Sequence, residues 1–294
     1  MEWRVVSPDW CIFGERIASL LGVERVAIAK EHGGSIFIEM FPGMITEALK
    51  YPDSPKICWW TGTDARLYSE NPKTYRFGNA MHVTDTPWLI YILSLKVNPV
   101  CFLPLPCSVD SPPLPYPKDP AILMYLNEHR ARDIKRSKKV ISFIKDWPVY
   151  VMSGPAVCKP VIGPDFPQDN VILVSAIDED ERVEVFKKIS MFIRLMHYDG
   201  MSQLIVEMKS LGRHVITTVY APHCDIVDPT QSPAEIANLA KQIVTAGPPL
   251  EAGTNWYRSI FNKTTFLRVL RGVCHVKGWE EPKAVSINLG SELQ

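Results

Sequence analysis

Short apolar runs alternate with stretches of helical spacing along most of the chain. Trp3 to Val6, Ser35 to Ile38, Lys56 to Trp60 and Val100 to Leu103 read as short buried strands. Gly14 to Leu21 and Thr86 to Leu95 read as helices between them. The alternation resumes after residue 120, with strands at Ile122 to Leu126, Val149 to Met152, Val171 to Val174 and Met191 to Leu195. Helices are expected at Ala131 to Lys145 and Asp180 to Ile189. Strands alternating with helices predict α/β architecture with parallel sheets.

One segment divides the two blocks. Pro104 to Pro120 holds seven prolines in seventeen residues. Proline lacks an amide donor and disfavours helix in the residue before it, so this stretch reads as a stiff linker. The expected organisation is a Rossmann-like first domain at 1–104, a linker at 105–120 and a second Rossmann-like domain at 121–270. A tail at 271–294 is free to pack back on the first domain.

The most informative stretch runs from His197 to Ile216. Asp199 and Glu207 stand eight positions apart across an expected loop-to-helix junction. Ser202 suits the N-cap and Gly212 the left-handed position past the C-terminus. Leu204, Met208 and Leu211 share one helical face, and Gln203, Glu207 and Ser210 another. A helix N-terminus offers unpaired amides and a positive dipole to an anion, while carboxylates nearby can grip hydroxyls. The same residues also describe an ordinary capped amphipathic helix before a strand.

Composition narrows the class. Lys plus Arg equals Asp plus Glu at 32 each, so bulk charge gives no argument for nucleic acid as the main partner. The seven cysteines are odd in number, scattered and without a C-x-x-C pair, which fits free thiols in a reducing compartment. No apolar run reaches the ~18 residues of a membrane span, and the start Met-Glu-Trp-Arg lacks a signal pattern. A cytoplasmic location is expected.

The 199–216 stretch resembles the E-x7-E motif of retaining GT-B glycosyltransferases, the glycogen synthase-like group. Asp199 stands for the first Glu, Met201 for Phe, Ser202 for Gly, Glu207 for the second Glu, and His214 for Pro. Lys56 to Asp64 resembles that group's strand ending in H-G-x-D, with Thr61 in place of the His. Asn79 to Pro87, Phe102 to Asp110, Asn170 to Ser175 with Asp178 to Glu181, and Thr254 to Arg258 resemble further segments in the same order. The first domain is short for the group.

The resemblance implies a GT-B fold, two Rossmann-like domains facing across a cleft, and a hexosyltransferase-like transfer from a UDP- or GDP-sugar that is retaining and metal-independent, with no bound cofactor. Asp199 with the backbone of Gly200, Met201 and Ser202 would hold the donor sugar and distal phosphate, and Glu207 the ribose hydroxyls. Arg130 and Arg132 would offset diphosphate charge, with Lys135 behind them. Gly14 would let the first loop approach the donor. Trp60, Thr61, Gly62, Asp64 and His197 would line the acceptor side. The acceptor is a saccharide, a lipid or another hydroxyl compound. The basic 130–139 segment also reads as a solvated helix face, and a peripheral contact with an anionic membrane is a third reading of it. Two other readings stand beside this one: a GT-B-like partner subunit that binds without catalysis, and a nucleotide-sugar epimerase on the same fold.

Overall fold

The computed structural model describes residues 1–9, 11–71, 73–108, 112–126, 131–153, 169–175 and 179–285. Contacts divide the chain into two compact units, one of residues 1–106 with 259–294 and one of residues 107–258. The returning segment therefore starts at Ser259, earlier than the boundary at 271 expected from the sequence.

In the first unit the elements are β1 (Trp3–Val6), α1 (Ile12–Leu21), β2 (Glu24–Val26), β3 (Gly34–Ile38) and α2 (Pro42–Leu49). They continue with β4 (Lys56–Trp60), α3 (Thr63–Glu70), β5 (Ala80–Thr84), α4 (Leu89–Ser94) and β6 (Val100–Phe102). All strand pairs are parallel, in the order β2-β1-β3-β4-β5-β6. Every residue of β1, β3, β4 and β5 is buried, as expected of parallel strands covered on both faces. β2 lies on one side of β1 and β3 on the other, so the strand order reverses at the β1–β3 boundary.

The second unit holds β7 (Ile122–Leu126), α5 (Ala131–Ser142), β8 (Val149–Ser153), β9 (Val171–Ser175), α6 (Glu179–Lys188) and β10 (Met191–Arg194). After these come α7 (Gln203–Ser210), β11 (His214–Thr217), β12 (Asp225–Ile226), α8 (Pro233–Thr245) and α9 (Glu251–Ile260). This sheet is also parallel, in the order β12-β11-β10-β7-β8-β9, and it reverses at the β7–β10 boundary. The chain then returns to the first unit as α10 (Lys263–Lys277). Phe266, Leu267, Leu270, Val273 and Cys274 follow helical spacing and join the core of Trp3, Ile17 and Trp59. The Trp59 and Phe266 rings stack at 5.9 Å.

The proline-rich segment is not a free linker beyond Pro106. From Cys107 it belongs to the second unit, where the Leu114 amide donates to the Leu211 carbonyl at 3.2 Å. Arg213, fully buried, donates to the carbonyls of Pro115 (3.0 Å), Leu114 (3.2 Å) and Phe186 (3.2 Å). Among the described residues, no helix is long and apolar enough to cross a membrane.

Candidate functional site

In doubly wound sheets, ligands bind outside the carboxyl ends of the strands where the order reverses. In the second unit that place is bounded by the ends of β7 and β10, and the 197–207 stretch leads directly from β10. Gly200, Met201 and Ser202 are buried between the strand and α7. Ser202 occupies the N-cap with extended backbone, but its hydroxyl makes no capping hydrogen bond. Gly212 follows the helix with φ +74°, the left-handed turn expected of it.

Asp199 is already engaged. Arg194, the last residue of β10, places Nε and Nη2 each 2.6 Å from Asp199 Oδ2. The Gly200 amide donates to Oδ1 at 3.1 Å. The guanidinium also lies 5.1 Å from the Tyr125 ring centroid, which joins the end of β7 to the end of β10. Glu207 is 3% exposed and accepts a hydrogen bond from Ser108 Oγ, so the acid that stands second in the motif is anchored to the proline-rich segment. Arg132 is exposed on α5, Arg130 lies outside the described residues, as do Asn127 and Asp178, and His197 is exposed after β10.

In the first unit the expected site residues fall at two places. Thr61 and Gly62 form the turn between β4 and α3, and Asp64 lies in the first turn of α3. The Asp64 carboxylate accepts from the amides of Thr61 (2.9 Å), Gly62 (2.9 Å), Ala65 (2.8 Å) and Met40 (2.7 Å). Burial pushes its pKa up, and these four amides work against the rise. Trp60 is buried completely: its indole packs on Tyr68 at 4.7 Å and donates from Nε1 to His82 Nδ1 at 3.1 Å. Both Trp59 and Trp60 thus serve the interior, and no face of either indole is open for stacking on a sugar. Gly14 sits in the first turn of α1. A Cβ there would fall 1.9 Å from Ser7 Oγ and 2.6 Å from Ser7 Cβ, so this glycine lets the helix close on the end of β1.

Two buried charged residues at strand ends were not among those expected from the sequence. Arg194 interrupts the apolar run Met191 to Met196, and a cation inside a buried strand was its available signal. Glu39, directly after β3, is 9% exposed, and burial first and the Asp64 charge second push its pKa up to about 7. Among the described residues, no three His, Cys, Asp or Glu side chains converge as metal ligands.

No family model matches the sequence, and no curated protein matches it. Solved structures do match it in fold. The similar structures include sucrose-phosphate synthase from Thermosynechococcus elongatus, at TM-score 0.64 and 14% identity over 83% of this chain and 74% of that one. TarM matches at TM-score 0.60 and 12% identity over 81% of this chain, which spans about half (54%) of TarM's length. The lipopolysaccharide outer core galactosyltransferase WaaB, in its apo form, matches at TM-score 0.60 and 9% identity over 94% of this chain and 100% of that one. A UDP-GlcNAc 2-epimerase from Neisseria meningitidis shares the architecture at TM-score 0.54 and 11% identity, over 100% of both chains. The chain has the α/β GT-B fold, with two Rossmann-like units, and its structural neighbours, all at low identity, include both glycosyltransferases and an epimerase.

Proposed function

We propose that this chain is a glycosyltransferase that moves a sugar from a UDP- or GDP-sugar to a hydroxyl-bearing acceptor, with retention and without a metal. The observation that carries the reading is that Asp199 precedes the N-terminus of α7 at the order reversal of the second sheet, with Glu207 about one turn into the same helix. In this reading the amides from Gly200 to Ser202 take the distal phosphate, and Glu207 accepts from the ribose hydroxyls. Arg132, Arg130 and Arg194 supply positive charge for a leaving diphosphate, whose developing charge is the main burden of the reaction. Asp199 orients the donor sugar while Arg194 fixes its carboxylate. Gly14 enters this reading through the shape of the first loop, and Thr61, Gly62, Asp64 and His197 on the acceptor side, with a saccharide or lipid as acceptor. Arg132, Lys135 and Lys139 are exposed along α5 with Phe143, a face suited to an anionic membrane surface.

Melting of the full chain with UDP-glucose, UDP-N-acetylglucosamine and GDP-mannose tests the reading, because a ligand bound only by the folded state raises Tm. One of these donors raises Tm, and Glu207→Gln removes most of that rise. No rise with any donor, or a rise indifferent to Glu207→Gln and Asp199→Asn, overturns it. The Arg194–Asp199 ion pair favours one second reading, a binding subunit without catalysis. Product analysis with a bound donor separates the two, and an epimerised donor without transfer identifies an isomerase.

A further inference from the structure

The first sheet reverses its strand order at the β1–β3 boundary, and the functional reading above assigns no ligand-contacting residue at the end of β3. Three groups meet there. Cys11 follows β1, Glu39 follows β3, and Asp64 follows β4; they are 2%, 9% and 1% exposed. Glu39 holds φ +60°, a left-handed backbone that a side-chain-bearing residue adopts rarely. Its amide bonds the Trp59 carbonyl at 3.2 Å and its carbonyl accepts from the Phe41 amide at 2.7 Å, so the backbone at this turn is fixed on both sides. The Cys11 thiol hydrogen-bonds the Glu39 carboxyl. Yet Glu39 Oε2 is buried with no hydrogen-bond partner.

An unpartnered buried carboxyl oxygen is costly, and more so when charged, so a group in this position calls for an occupant. A metal ion is a poor one. Four backbone amides already take the Asp64 carboxylate, and burial pushes the Cys11 thiol up to about 12, so Glu39 alone could ligate. A hydroxyl suits better, because it donates to the ionised carboxylate and accepts from the protonated acid.

We propose that Glu39 Oε2 is a ligand-contacting group at the order reversal of the first sheet, and that it binds a hydroxyl of a saccharide. The choice of a sugar rests on the transferase reading; the site itself rests on the unpartnered oxygen at this strand end. Binding is linked to a proton. The charged groups around Glu39 are Asp64 after β4 and Arg25 beyond Cys11. Arg25 is tied to Ser7 Oγ at 2.8 Å and to Glu15 at 3.5 Å. A sugar hydroxyl bonds the carboxylate more strongly than the acid, so the bound sugar releases a proton and holds tighter at higher pH.

Saturation-transfer NMR on the full chain tests this with methyl α-D-glucopyranoside, methyl α-D-mannopyranoside and N-acetylglucosamine at pH 6 and pH 8. At least one of them binds, about tenfold tighter at pH 8 than at pH 6. Glu39→Gln abolishes that pH dependence, and Glu39→Asp, which withdraws the carboxyl by one methylene, weakens binding at pH 8. The melting shift caused by UDP is unchanged in both variants. A UDP shift without any sugar binding, or sugar binding indifferent to both variants, overturns the Glu39 proposal and leaves the donor reading standing. Pairwise sugar binding lost in the variants, with no UDP shift in any form of the chain, supports Glu39 and removes the donor reading.

Discussion

Arg194 and Asp199 are joined by two contacts of 2.6 Å at the end of β10, with 10% and 19% of their side chains exposed. A partly buried pair of this kind is stronger than a surface ion pair, and removing one partner leaves the other under-satisfied. Arg194→Met is expected to lower stability by about 1–3 kcal/mol, and Asp199→Asn by a similar amount. In the double variant the losses fall short of additive by about 1 kcal/mol or more, measured by urea unfolding. Additive losses would show that the pair is not coupled.

The first unit carries two buried groups whose pH windows oppose one another. Glu39 is raised from 4.5 to about 7 by burial and by Asp64. Its contribution is therefore intact below pH 4.5 and lost as pH rises through about 7, a loss of about 3 kcal/mol. His82 is lowered from 6.5 to about 3, chiefly by burial, so its contribution is intact above 6.5 and lost as pH falls toward 3. Relative to the parent chain, Glu39→Gln gains stability as pH rises from 4.5 to 8. His82→Gln gains as pH falls from 6.5 to 4. Tm measured across that range should show difference curves of opposite slope; parallel curves would contradict both assignments.

Gly14→Ala places a methyl 1.9 Å from Ser7 Oγ, and Ser7 is fully buried. Overpacking at such a point costs about 1–3 kcal/mol. Ser7→Ala relieves only part of it, because Ser7 Cβ would still lie 2.6 Å away, whereas Ser7→Gly clears both atoms. The order of Tm values, with the Gly14→Ala/Ser7→Gly pair above Gly14→Ala/Ser7→Ala, checks this.

Burial lowers the Arg213 pKa to about 10, and the side chain stays charged at neutral pH while it ties the proline-rich segment to α6. Arg213→Met keeps apolar bulk but leaves the carbonyls of Leu114, Pro115 and Phe186 without these donors. A loss of about 3 kcal/mol follows. Trypsin should then cut after Lys118 several-fold faster than in the parent chain. Unchanged cleavage would show that the segment is held by other contacts.

The strands were legible because a strand buried on both faces needs an unbroken apolar run, as in Ile36 to Ile38 or Ile122 to Leu126. The 203–210 helix was legible for a different reason, since Gly212 and its apolar spacing mark it from both sides. α2 and α3 were not, because eight residues give barely two turns of pattern. α8 left a clear sign that went unread: Ser232 and Glu235 form a reciprocal capping box behind Pro233. The site was legible only in part. Asp199 and Glu207 could be found from their spacing, but their partners Arg194 and Ser108 could not. Ser108 lies 99 positions from Glu207, and only the fold brings them together. Trp60 misled for a related reason: an aromatic at a strand end suits a sugar platform or a core equally until its neighbours are known.

Asp64 has a consequence beyond its own burial. By taking amides from Met40 on one loop and from Thr61, Gly62 and Ala65 on the next, one carboxylate stitches the exits of β3 and β4 into a single rigid rim. Loops at strand ends ordinarily lose freedom when a ligand arrives, and that loss weakens binding. Here the loss is incurred once, during folding. Whatever enters the first sheet's crevice meets a preorganised wall, and its affinity need not be spent on freezing one.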